Sequence, residues 1–166
     1  MPKTIQEILT QIPEFLKKMF HALNHDRIDV AAYELDHICY RVESTERYEE
    51  LKKQLLQQGT LLGETPINGR PIATYKLIKP ATFKERTIPC IELPAPKQNT
   101  FYPEGFEHAE FVIPESFADF AQKHAGVPFD ITGTTRTINP EITRKYNGFS
   151  VKFHYNTLEY VIKYLQ

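Results

Sequence analysis

The sequence predicts one α+β domain built from two repeated halves, each opening on a strand and a helix and closing on further strands. Three features lead there: 166 residues of globular composition, a helical stripe confined to the N-terminus, and a strand-then-helix pattern that occurs twice. A chain of this length buries roughly 70% of its unfolded surface and needs no covalent staple. Its 41% hydrophobic, 12% aromatic and 25% charged residues are globular values. The formal net charge is −1 with scattered basic residues, so no positive stripe exists for a nucleic-acid backbone. No apolar run approaches the roughly 20 residues that span a bilayer, and the N-terminus lacks the pattern of a secretory signal. These features predict a cytoplasmic protein with neither a membrane nor a nucleic-acid partner. Cys39 and Cys90 lack metal-binding or redox spacing and are expected to be reduced, buried small hydrophobes.

Ile5, Ile8, Leu9, Ile12, Phe15, Leu16, Met19 and Leu23 recur at three- and four-residue steps, the stripe of an amphipathic helix. Pro13 kinks this segment or splits it in two, giving N-terminal helices within residues 1–30. Glu34 to Val42 reads as a strand, after which Ser44 or Thr45 caps a helix carrying Tyr48, Leu51, Leu55 and Leu56 that stops at Gly59. Pro71 to Lys79 and Ile88 to Leu93 are strand-like, so the first half contains two or three strands after its helix. Glu107 to Ile113 then repeats the opening strand, and a helix from about Ser116 stops near Gly126. A Gly/Thr-rich stretch from Thr132 to Thr137, a turn at Asn147-Gly148, a strand from Phe149 to Tyr155 and a short helix over 157–165 complete the chain. Asp36-His37 and Glu107-His108 are the matching points of the repeat.

Strand side chains alternate between faces, so parity sorts each strand into a core side and a cleft side. Ile38, Tyr40 and Val42 are apolar, which sends His37, Cys39 and Arg41 the other way. Ala109, Phe111 and Ile113 likewise oppose His108 and Glu110; Ile91 and Leu93 oppose Cys90 and Glu92; Val151, Phe153 and Tyr155 oppose Lys152 and His154. Polar side chains turned inward are costly unless they pair or bind a cation. His37, Glu92 and His108 are therefore the expected ligands of one divalent metal ion, with His154 favoured over Lys152 as a fourth. Mixed nitrogen and oxygen donors suit zinc, iron, manganese, nickel or cobalt. Glu110 is the proton-transfer candidate; Arg41 and Lys152 are candidates to bind an anionic part of a substrate, and Arg41 with Glu110 can equally form a salt bridge. His21, His25 and His124 have no evident partners and are expected at the surface.

The runs Leu35–Val42, Ile91–Lys97, Gly105–Val112 and Val151–His154 together resemble the YecM family within the vicinal oxygen chelate superfamily. That resemblance implies paired βαβββ modules, about 34–97 and 105–156, curling into a glyoxalase-like cup within a single domain over 1–166. It implies metal ligands on the first and last strands of each module: His37, Glu92, His108 and either Lys152 or His154. Glyoxalase-type isomerases and epimerases usually carry a carboxylate at that last position, where this chain has none. The expected activity is metal-dependent isomerase, lyase or oxygenase chemistry on a small oxygenated metabolite, by a monomer or homodimer. The alternative is a non-catalytic sequestering protein of the antibiotic-resistance type.

Overall fold

In the computed structural model, which describes residues 1–166, the N-terminal stripe is divided between α1 (Ile5–Leu9) and α2 (Ile12–His25). Thr4 and Glu7 close a capping box at the first helix, and Pro13 lies in the first turn of the second. Proline fits there because its missing N–H has no intrahelical acceptor at that position. Ile5, Ile8, Ile12, Leu16, Met19 and Leu23 bury the common apolar face.

The first half then runs β1 (Glu34–Arg41), α3 (Thr45–Leu55), β2 (Gly59–Ile67), β3 (Arg70–Phe83) and β4 (Arg86–Pro94). Ser44 caps α3, its hydroxyl accepting from the Arg47 N–H at 3.1 Å. Gly59 sits where the chain leaves the helix and draws close to β3; a Cβ there would lie 2.4 Å from the Lys76 carbonyl oxygen. Asn68 and Gly69, both with positive φ, make the two-residue turn between β2 and β3. The second half is β5 (Gly105–Val112), α4 (Phe117–Lys123) capped by Ser116, β6 (Phe129–Asp130), a 3₁₀ turn at Thr132–Thr135, β7 (Glu141–Lys145) and β8 (Ser150–His154). A short α5 (Leu158–Tyr160) and one wider turn (Val161–Leu165) end the chain.

The strands form one curled mixed sheet in the order β2-β3-β4-β1-β5-β8-β7-β6. Its two halves pair alike: β4 runs parallel to β1 and antiparallel to β3, while β8 runs parallel to β5 and antiparallel to β7. β1 and β5 meet antiparallel at the centre and join the halves. The apolar face carries Ile38, Ile91, Ala109, Phe111, Val151 and Phe153, all fully buried. Phe120 of α4 packs on Phe153 with ring centroids 4.5 Å apart, and Phe15 of α2 stacks on Phe106 at 5.3 Å. Burying each such ring stabilises the fold by roughly 1.5–3 kcal/mol. With helices on that side, the opposite face of the sheet is left as a concave cup. No helix is long and apolar enough to cross a membrane.

Candidate metal centre

The cup-facing residues are set by strand register. His37 pairs with Cys90 of β4 and Glu110 of β5, while Cys39 pairs with Glu92 of β4 and His108 of β5. Four polar side chains from three adjacent strands are thereby stacked about the central β1–β5 pair. Two β-bulges add two more. Between Leu35 and His37 the register slips at Asp36, and between Cys39 and Tyr40 it slips opposite Glu107. Strict alternation would turn Asp36 and Glu107 away from the histidines that follow them. A bulge instead re-aims the extra residue toward the same side. Asp36 Oδ2 consequently lies 2.7 Å from His37 Nδ1, and Glu107 hydrogen-bonds His108 Nδ1 in the same manner.

With each Nδ1 donating to a carboxylate, the Nε2 atoms point into the cup. Both are buried and without hydrogen-bond partners. His108 Nε2 is 3.5 Å from Glu92 Oε1 and 3.4 Å from Glu110 Oε1; His37 Nε2 is 3.6 Å from the same Glu110 oxygen. Donor atoms of His37, Glu92 and His108 all lie within 4.8 Å of one another. Carboxylate–histidine pairs of this kind fix the tautomer and aim the free ring nitrogen at a metal. Orphaned buried nitrogens beside a carboxylate fit a divalent ion, and the nitrogen/oxygen donor set belongs to the zinc, iron, manganese, nickel and cobalt class. Two neighbouring groupings, Asp36 with His37 and His154 and Cys39 with Glu107 and His108, offer further donors.

The electrostatics of the cluster are those of charges packed out of water. Burial opposes a charge on His37, but the Glu110 carboxylate and the Asp36 hydrogen bond prevail and raise it to about 10. Burial alone would push Asp36 up; His154 and His37 hold it at about 2. Glu110 is held well below the usual carboxylate range, against the pull of burial, by the charges of His37 and His154. Burial pushes the Cys39 thiol up to about 12.

The structure brings His37, Glu92 and His108 together and places Glu110 between the two imidazoles. The last strand is arranged differently from the sequence expectation. Lys152 pairs with Glu110 as Glu92 pairs with Cys39, each two residues beyond its histidine, so Lys152 stands in the second half where Glu92 stands in the first. Its ammonium binds Glu141 Oε1 at 3.1 Å. His154 lies farther along β8, its ring 5.7 Å from His37, with Nδ1 2.9 Å from Asn139 Oδ1 and 3.1 Å from Glu110 Oε2. It groups with Asp36 and His37 rather than with Glu92 and His108. Arg41 makes no salt bridge with Glu110 and stacks on Tyr102, 4.5 Å from the ring centroid. His124, expected at the surface, is buried: its Nδ1 lies 2.9 Å from the Phe120 carbonyl oxygen and its ring packs on Phe120. The end of a short helix satisfies it where no partner was visible. His21 and His25 are exposed, and Cys39 and Cys90 are free and buried. Asp36 and Glu107 were not foreseen as part of the site; the signal for them was the repeated acid-histidine pair itself.

A curled mixed sheet with helices on one face and a histidine–carboxylate cluster in the other is the architecture of a glyoxalase-like α+β protein. The family model described as YecM protein matches residues 4–164, and the chain belongs to the YecM family. It is 36% identical over 114 residues to an uncharacterized protein of Haemophilus influenzae, an alignment covering 66% of this chain and 60% of that protein. It is 31% identical over 110 residues to protein YecM of Escherichia coli, covering 66% and 58% respectively. The chain thus aligns with about three fifths of the length of these relatives. Among solved structures, the structural-genomics protein EC4020 superposes with a TM-score of 0.82 at 26% identity, over 97% of this chain and 92% of that one. The hypothetical protein BH1468 of Bacillus halodurans shares the fold at a TM-score of 0.50 and 21% identity, over 75% and 94%.

Proposed function

We propose that this protein is a metal-dependent enzyme that binds one divalent ion through His37, Glu92 and His108 and acts on a small oxygenated metabolite by isomerase or lyase chemistry. The observation that supports it most is the pair of buried, unpartnered Nε2 atoms on two histidines whose donor atoms lie within 4.8 Å of each other and of the Glu92 carboxylate. Each is aimed by its own bulged acid. Three protein ligands leave coordination positions free, the arrangement of catalytic rather than structural sites. A bound ion would supply Lewis-acid polarisation of the substrate's oxygens. Asp36 and Glu107 hold the imidazole tautomers, and the helix-covered sheet behind the cluster excludes water from its far side. To Glu110, whose Oε1 lies 3.6 and 3.4 Å from the His37 and His108 Nε2 atoms, we assign the role of taking a proton from a carbon next to those oxygens and returning it.

The decisive test is the metal content of protein purified without a metal-affinity tag, read by elemental mass spectrometry beside a variant carrying His37→Ala with Glu92→Ala. Near-stoichiometric metal in the wild type and its loss in the variant are expected. A wild type that holds no metal after anaerobic incubation with iron, zinc, manganese and nickel would overturn the enzyme reading in favour of metal-free ligand sequestration.

A further inference from the structure

The cup is a cavity of about 720 Å³ lined by Glu92, His108 and Glu110 together with five basic side chains; Lys97 is exposed, and the other four fall into two classes. Lys152 and Arg136 both bind Glu141 Oε1, at 3.1 and 2.8 Å, and their charge is largely spent on that carboxylate. Arg41 and Arg70 have no carboxylate partner, and the Nε of each is buried without a hydrogen bond. They meet at Tyr102. Arg41 stacks on its ring, while Arg70 Nη1 donates to the Tyr102 hydroxyl at 3.4 Å and to the Ala95 carbonyl at 2.9 Å. The Lys97 backbone N–H also donates to that hydroxyl, at 3.3 Å, so the oxygen is used as an acceptor and its own proton remains available.

We propose that Arg41, Arg70 and Tyr102 form an anion-binding subsite, so that the substrate carries a carboxylate or phosphate group separate from the oxygens presented to the metal ligands. This assignment of substrate class rests on the proposed metal site for the position of the other end of the substrate. Unpaired guanidinium groups half-withdrawn from water are costly, and their planar forks match an oxyanion bidentately. Arg41 lies two residues beyond Cys39, and Cys39 is level with both Glu92 and His108. At the rise of a β-strand this is roughly 7 Å, the separation within one small bifunctional metabolite. The cavity volume also falls within the range of small-molecule sites.

The test compares three probes by calorimetry on the metal-loaded protein: 2-oxoglutarate, 2-oxopentanoate, which lacks the second anion, and 2-oxo-4-phosphonobutanoate. Wild type is expected to bind one or both dianionic probes at least about tenfold more tightly than 2-oxopentanoate, the gain of one charge-assisted contact. The tighter of the two identifies the group as carboxylate or phosphate-like. In Arg41→Gln and in Arg70→Gln that preference should collapse, with metal content and 2-oxopentanoate affinity unchanged, and Arg41→Lys should restore part of it. Equal affinity for all three probes in wild type, or a preference that survives both glutamine variants, overturns the subsite. Should elemental analysis show that the protein holds no metal, the subsite is read from the Nε–H NMR signals of Arg41 and Arg70 during titration with inorganic phosphate. Saturable shifts of both support it and their absence overturns it, independently of the metal site.

Discussion

Asp36 and Glu107 show how a single inserted residue changes what a strand can do. Each occupies a bulge immediately before a histidine, and each bonds the Nδ1 of that histidine. Parity made His37, Cys39, Arg41, His108 and Glu110 legible as one face, because alternation survives on either side of a bulge. It could not reveal Asp36 or Glu107, because a bulge is a departure from alternation that depends on the partner strand. Asp36 is further tied to the C-terminal turn, accepting from the Leu158 N–H at 2.8 Å. Asp36→Ala and Glu107→Ala should each lower metal affinity by about 10- to 100-fold while leaving the three ligands in place, as chelator competition would measure. The protonation state of the histidines adds a second expectation. With His37 raised to about 10, its imidazole carries a second proton at neutral pH when no metal is bound. A metal on His37 Nε2 must displace it, so binding near neutral pH should release about one proton and strengthen as pH rises. Calorimetry in buffers of different ionisation enthalpy gives that count; zero release would show that the metal does not take the His37 Nε2 position.

Among the secondary-structure elements, those with a full apolar face could be read from sequence and those at the sheet edges could not. β1 and β5 carry alternating apolar residues beyond their bulges, α3 and α4 have serine caps, and Pro13 marks the start of α2. β2 is largely exposed along its length, β6 has two residues, and β7 places Ile142 among polar neighbours, so none carries a run of alternating hydrophobics. Their pairing is dictated by the strand beside them. The helices are fastened to the sheet by packing and by polar joints, among them Lys52 of α3 on Glu64 of β2, Asp26 at the end of α2 on Arg144 of β7, and one centred on Arg47. Arg47 of α3 binds the Glu104 carboxylate through Nε and Nη2, with the Nη2 contact at 2.9 Å, and also reaches Glu50 and the Lys3 carbonyl. It therefore ties α3 to the N-terminal segment and to the loop joining the two halves. Arg47→Ala leaves Glu104 and the Tyr40 hydroxyl without their cation, and should cost about 3 kcal/mol. Phe153→Ala, which empties a position between Phe111 and Phe120, should cost about 3–5 kcal/mol. Denaturant unfolding of both variants checks the ranking, with the core truncation the more severe.

For the molecule as a whole, the halves share one sheet and one cup, and the expected metal ligands are divided between them. The repeat of acid-histidine pairs located that shared surface, because two copies of one unit brought together by a central antiparallel pair must place equivalent residues near their common axis. Sequence left the fourth position open between Lys152 and His154, since the choice depends on the register of β8 against β5. That register makes Lys152 the counterpart of Glu92, and a cation pairing with Glu141 stands where symmetry would put a second carboxylate. The two halves are thus alike in backbone and different in donors. His37 and Glu92 come from β1 and β4, and His108 from β5, so an ion on these three ligands would cross the seam between the halves. Such an ion binds only the folded arrangement and stabilises it by about 2.7 kcal/mol at a free concentration 100 times its dissociation constant. Thermal unfolding should then remain a single transition that moves upward with metal. Glu92→Gln in the first half and His108→Gln in the second should each abolish the shift, because neither half holds all three proposed ligands. If either variant kept the full shift, the ion would not be held by these three ligands, and the neighbouring Asp36, His37 and His154 grouping, which also joins the two halves, would be the site to test in its place.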